Sequence, residues 1–125
     1  MNLRAFLALL AGAIIIAFAI SWMKPLHAFA GECSQMRASW YGAESGNRTA
    51  NGEHFDGTSL TAASRTLPFG TRLRVTYQGK SVVVRVNDFG PAKWTHRDLD
   101  LSKAAATRID MISVGVATVC VTVLH

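Results

Sequence analysis

The sequence predicts a small, mainly β domain closed into a barrel, carried behind an N-terminal export segment. Three observations predict it. Residues 31–125 break into short alternating or β-branched runs punctuated by Gly, Pro and Asn. One stretch alone, Lys103–Arg108, is rich in helix formers. The first thirty residues place Arg4 ahead of an apolar run, residues 5–23, that only Ser21 interrupts. Many short strands with one short helix, in so short a chain, point to a small barrel.

Taken in order, residues 1–30 read as a secretion signal, with Ala28 and Ala30 supplying the small-residue pattern for cleavage before Gly31. The competing reading is an uncleaved anchor, because the run approaches the roughly 20 residues that span a bilayer. Both readings put the remainder outside the cytoplasm, in the periplasm or secreted. Glu32 stands before Cys33, where a lipid-attachment site needs a small residue. What remains, residues 31–125, is enough for one domain with a limited core.

Of 13 Lys and Arg in the chain, Arg4 and Lys24 fall in the signal, while all 8 acidic residues lie beyond it, so the mature domain is mildly basic. No block of Lys or Arg marks a nucleic-acid groove, and nucleic acid is excluded as a partner. The modest positive field attracts acidic wall polymers or anionic surfaces weakly and is screened by salt. Cys33 and Cys120 sit near the two ends of the mature domain, and an oxidising compartment favours a disulfide between them over two buried thiols. On loop entropy such a bridge is worth about 4 kcal/mol. The chain has no CxxC, and His54, Asp56 and His96 include no closely spaced ligand pair, so neither a metal nor a cofactor is expected.

In "MRASWYG" a first strand puts Ala38 and Trp40 on one face and Ser39 and Tyr41 on the other, and Gly42 halts it. Residues 43–59, "AESGNRTANGEHFDGTS", form a loop long enough to suggest the rim of a binding groove. "TRLRVTYQGKSVVVRVND" is a hairpin, with Leu73, Val75 and Tyr77 alternating against Arg72, Arg74 and Thr76 before the "QGK" turn. "LSKAAATRI" starts a helix at Ser102 as N-cap, with Asp98 and Asp100 upstream near its positive end. The β-branched "VGVATVCVTVL" closes the domain as a last strand. Aromatic faces suit sugar rings: Trp40, Tyr41, Phe69, Phe89 and Trp94 are weighed as stacking platforms, Trp94 as the most exposed and Phe55 and Phe69 as core.

In order and spacing, "ASWYG", "TANGEHFDGTSLTAAS", "TLPFGTRLRV", "VVVRVNDFGP" and "DLDLSKAAA" resemble the core domain of the rare lipoprotein A family, the septal-ring lytic transglycosylases. The resemblance runs from about Ala38 to the C-terminus. It implies a six-stranded double-psi β-barrel, similar to the barrel of expansins, with a groove across one face. It also implies an endolytic lytic transglycosylase that cuts peptidoglycan glycan strands between N-acetylmuramic acid and N-acetylglucosamine, leaving 1,6-anhydro ends. A carboxylic acid with a raised pKa protonates the glycosidic oxygen in such a reaction, and the muramic C6 hydroxyl replaces water as nucleophile.

By position the resemblance implies site roles for Glu53, Asp56, Asp88 and Asp100, with Asp88 or Asp100 as proton donor and Glu53 and Asp56 orienting or charging the site. Trp40, Tyr41, His54 and Trp94 are the expected substrate contacts, and Asp98 is expected to face solvent. Each carboxylate has a structural alternative. Asp100 with Ser102 can cap a helix, Asp88 can make a turn with Asn87 and Gly90, and Glu53 and Asp56 can be solvated loop residues. The chain departs from the family pattern at Ser64, where histidine is usual, and at Phe89, where arginine is usual. Each departure removes a cation or proton shuttle. The second function kept in view is therefore a non-catalytic, expansin-like wall-binding module. The third is an inhibitor or assembly factor at the wall. A monomer is expected, with no membrane contact beyond the possible anchor.

Overall fold

Alternation along the sequence decides which side of each strand is buried. The computed structural model describes residues 33–125; the signal assigned to residues 1–30 lies outside the described residues. Six strands follow one another: β1 (Ser34–Tyr41), β2 (Thr61–Ser64), β3 (Arg72–Tyr77), β4 (Lys80–Asp88), β5 (Leu99–Ser102) and β6 (Ala117–Leu124), with one helix, α1 (Lys103–Arg108), between β5 and β6. They close in the order β1-β5-β2-β4-β3-β6. β1 runs parallel to β5 and β2 parallel to β4, while the other neighbours are antiparallel. This is the double-psi barrel, mainly β with one short helix.

The hairpin expected over β3 and β4 forms with Tyr77 opposite Lys80, which leaves Gln78 and Gly79 as a two-residue turn. Both adopt positive φ, 48° and 80°, as the turn that matches strand twist requires. Leu73 and Val75 of β3 and Val82, Val84 and Val86 of β4 point inward and meet Ala38, Ala62, Leu99, Leu101, Val119 and Val121 in one core. Arg72 and Arg74 face solvent. Ala105, Ala106, Ile109 and Met111 extend that core beneath α1.

Ser102 caps α1: its Oγ accepts the Ala105 amide at 3.2 Å and donates to the Ser59 carbonyl at 2.6 Å. The cap therefore also fastens the end of the long loop to the helix, as does the Ala104 amide on the Gly57 carbonyl at 3.0 Å. Cys33 and Cys120 form a disulfide with their Cα atoms 5.3 Å apart, tying the approach to β1 onto β6. β6 already pairs there, with Gln35 opposite Cys120.

Candidate active site

Four adjacent strands place one row of side chains on the outer surface of the barrel. Ser39 of β1 lies opposite Asp100 of β5, Asp100 opposite Ala63 of β2, and Ala63 opposite Asp88 of β4. Leu99 and Leu101 are in the core, so Asp100 between them must point outward. Alternation alone would send Asp88 inward with Val82, Val84 and Val86. A register shift between Ala62 and Ala63 skips Asn87 and turns Asp88 to the outer face. Two strand spacings separate the Asp88 and Asp100 backbones, about 10 Å. Ala63, between the two carboxyls, is small and buried, so the floor there lies low.

Asp88 is held from three sides. Its Oδ2 accepts the Tyr41 hydroxyl at 3.1 Å, and its Oδ1 accepts the amides of Ala50 at 2.8 Å and Phe89 at 2.9 Å. Tyr41 reaches across from β1, with its ring stacked on buried Phe55, centroids 4.6 Å apart and 13° from parallel. Burial raises the Tyr41 pKa, and the Asp88 and Asp100 charges raise it further, so the phenol stays a donor. The Ala50 contact brings the long loop over the row.

Asp100 is half-buried. Its Oδ1 accepts the Ser39 hydroxyl at 2.9 Å, and Ser39 in turn accepts Arg97 Nη1 at 2.6 Å. Asp100 Oδ2 accepts no side-chain hydrogen bond from the described residues. Burial pushes the Asp100 carboxyl above its ordinary pKa; the Ser39 bond and the Arg97 charge pull it down, and Asp88 adds to the rise. Desolvation wins.

Glu53 is an anion held by a clasp. Arg85 donates Nη1 to Oε1 at 2.7 Å and Nη2 to Oε2 at 2.8 Å, a bidentate pair, with Asn87 Nδ2 at 3.1 Å and Asn51 Nδ2 at 2.9 Å. These bonds, the Arg85 pair foremost, lower its pKa to about 2. A carboxylate so paired holds the loop to β4 and has no proton to give at neutral pH. Asn87, the bulge residue, is buried and bonded to this clasp, which couples Glu53 to the backbone that aims Asp88.

The other expected site residues are placed apart from this row. Asp56 turns back on its own loop, with Oδ1 accepting both the amide and the hydroxyl of Thr58 at 2.9 and 2.6 Å, and those bonds lower its pKa. His54 is exposed on the same loop. Trp40 lies on the inner side of β1, packs on the core and donates its indole N–H to the Ile112 carbonyl at 3.2 Å. Trp94 is 81% exposed on the turn Lys93–Thr95. Asp98 faces solvent, and its Oδ2 accepts the Arg37 amide at 2.9 Å. Phe69, expected in the core, is instead half exposed at the tip of a turn. Ser64 is buried and accepts the amides of Thr66 at 3.2 Å and Leu67 at 3.0 Å.

Ser39, Arg97 and Arg85 were not foreseen as part of this site. Ser39 shares a face with Tyr41, which is a usable signal; the partners of Arg97 and Arg85 lie 58 and 32 residues away in sequence. Among the described residues no three His, Cys, Asp or Glu side chains gather to hold a metal ion.

A sequence model of the family described as lytic transglycolase matches residues 33–121. The chain belongs to the lytic transglycolase family. It is 53% identical over 91 residues to a probable endolytic peptidoglycan transglycosylase RlpA of Synechocystis, covering 70% of this chain and 28% of that protein. With the Treponema pallidum protein of the same description the identity is 45% over 114 residues, 86% of this chain and 35% of the relative. The endolytic peptidoglycan transglycosylase RlpA of Campylobacter jejuni is 49% identical over 92 residues, 71% and 33%. The chain thus spans about a third of the length of these curated relatives. Among solved structures, Streptomyces papain inhibitor superposes with a TM-score of 0.61 at 22% identity, over 76% of this chain and 96% of that one. A Clavibacter michiganensis expansin mutant in complex with cellohexaose superposes at 0.58 with 21% identity, over 74% and 50%. At those identities the likeness is one of fold.

Proposed function

We propose that this lytic transglycolase-family domain cleaves peptidoglycan glycan strands as an endolytic lytic transglycosylase, with Asp100 as its acid. The observation that carries the reading is the Ser39–Asp100–Ala63–Asp88 row, in which one carboxyl has a raised pKa and, among the described residues, one oxygen without a side-chain donor, while the other is held as an acceptor. The names of the curated relatives, endolytic peptidoglycan transglycosylases, supply the substrate class.

In this reading the proton on Asp100 Oδ2 passes to the glycosidic oxygen between N-acetylmuramic acid and N-acetylglucosamine. The C1–O bond breaks with its electron pair on the leaving oxygen, and an oxocarbenium-like centre develops at muramic C1. The Asp88 carboxylate, across Ala63, stabilises that positive centre. The muramic C6 hydroxyl then bonds to C1 and returns its proton to Asp100, closing the 1,6-anhydro ring with the acid restored. Arg97, acting through Ser39, limits how far the Asp100 pKa rises. Glu53 and Arg85 position the loop that delivers the Ala50 amide to Asp88. Such a substrate places the domain outside the cytoplasm, in the periplasm or secreted after export, and we propose that it acts as a monomer.

A second reading, a wall-binding module without turnover, is favoured by Ser64. Its oxygen is taken up by two turn amides at the position where the family pattern carries histidine. Mass spectrometry of stem-free glycan strands incubated with the purified protein separates the two. Anhydro-muramyl ends that form with the native protein and disappear with Asp100→Asn support the enzyme; co-sedimentation with glycan and no such ends support the module.

A further inference from the structure

Beyond the carboxyl row, the outer surface carries a cleft of about 230 Å³ lined by Ser64, Arg65, Thr66, Leu67, Phe69 and Phe89 among others. Its two phenyl rings are 50% and 66% exposed, which is unusual for Phe in a small domain that needs every apolar side chain for its core. Local backbone chemistry puts them there. Phe69 sits second in the turn Pro68-Phe69-Gly70-Thr71, which the Thr71 amide and hydroxyl close on the Pro68 carbonyl at 3.2 and 2.7 Å, with Gly70 at φ 91°. The Gly70 amide bonds the Val86 carbonyl at 2.8 Å and the Val86 amide the Thr71 carbonyl at 2.9 Å, which fastens the turn to β4 three residues before Phe89. Phe89 in turn gives its own amide to Asp88 Oδ1.

We infer that the cleft between Phe69 and Phe89 is a sugar subsite, which holds one pyranose ring of the glycan next to the ring being cut over Asp88 and Asp100. The inference rests on the glycan-substrate reading above. Two residues of the cleft wall adjoin the row along the chain: Ser64 follows Ala63, and Phe89 follows Asp88 and donates its amide to Asp88 Oδ1. Phenyl faces offer the apolar C–H side of a ring a stacking surface, while Thr66 and the guanidinium of Arg65, whose Nη1 is fixed by the Pro91 and Arg97 carbonyls, give the cleft its polar side. The volume is below the about 300–1,000 Å³ typical of pockets for drug-sized ligands, a fit for a single ring. A peptide strand is disfavoured because the barrel is closed and leaves no edge to pair with. Two isolated rings also fall short of the contiguous area a stable dimer buries.

Calorimetric titration tests the subsite in an Asp100→Asn background, so that no probe is consumed, using stem-free tetrasaccharide and octasaccharide strands prepared from peptidoglycan. Phe89→Ala and Phe69→Ala are each expected to weaken binding of both the tetrasaccharide and the octasaccharide about five- to tenfold, and Phe89→Trp to restore it. Both positions are exposed, so the melting temperature is expected to hold. Equal binding by parent and both Ala variants overturns the subsite, as does a change in sedimentation from dimer to monomer with glycan affinity untouched. The two claims fail separately. Native protein that forms no anhydro ends while Phe89→Ala still loses octasaccharide affinity sinks the enzyme and leaves the subsite standing; anhydro ends with a neutral Phe89→Ala do the reverse.

Discussion

Replacing Cys120 by Ser opens the Cys33–Cys120 bridge, whose partners are 87 residues apart. The unfolded chain then regains the loop entropy that the bridge removed, about 4.6 kcal/mol on the loop-length relation. Spread over the 93 described residues, 33–125, an unfolding entropy of about 2 cal/mol/K per residue converts that loss into a melting point lower by roughly 25 °C. That is a large share of the 5–15 kcal/mol typical of a whole domain. The site feels it as well, because the bridge anchors the start of β1, and β1 carries Ser39 and Tyr41. The assay is thermal and urea unfolding followed by circular dichroism, with the native protein measured both oxidised and under reductant. The loop argument requires reduced native protein and Cys120→Ser to unfold together, well below the oxidised form. A loss under about 1 kcal/mol, or a variant that differs from reduced native protein, refutes it.

Other perturbations test separate parts of the structure. Asp100→Asn should raise the melting temperature at pH 7 while removing activity, because a carboxyl whose folded pKa is raised stabilises below its unfolded pKa and loses that contribution as pH rises through the folded value. Glu53 has the opposite sign: its contribution is present above the ordinary 4.5 and is lost as pH falls toward about 2, so Glu53→Gln should flatten acid unfolding curves in that window. Ser102→Ala removes the α1 cap and leaves the Ser59 carbonyl without its hydroxyl donor, an expected loss of about 1–2 kcal/mol by urea denaturation.

What could be read from the sequence was whatever repeats locally. The β3–β4 hairpin and β6 show their alternation within a few residues, and Ser102 followed by "KAAATR" announces a capped helix. β2 and β5 do not, because "TAAS" and "LDLS" are four-residue strands whose parallel pairing depends on partners far along the chain. For the same reason Asp100 read as a residue near a helix start, whereas it is mid-strand between Ser39 and Ala63. Asp88 was found by resemblance, yet simple alternation would have buried it; only the skipped Asn87 turns it outward. Glu53 read as one of several acids until its tie to Arg85 made it an anchored anion. Phe69 read as core because Phe usually is, and its turn, fastened to β4 through Gly70 and Thr71, holds it in solvent instead.

The central claim is that one carboxyl of the row, Asp100, delivers the proton. The most direct measurement follows anhydro-muramyl ends by mass spectrometry from stem-free glycan strands, with native protein, Asp100→Asn and Asp88→Asn compared at equal folded concentration. Asp100→Asn is expected to abolish the ends and Asp88→Asn to reduce their rate, about a hundredfold or more for loss of the acid. Ends formed at the native rate by Asp100→Asn would contradict the account.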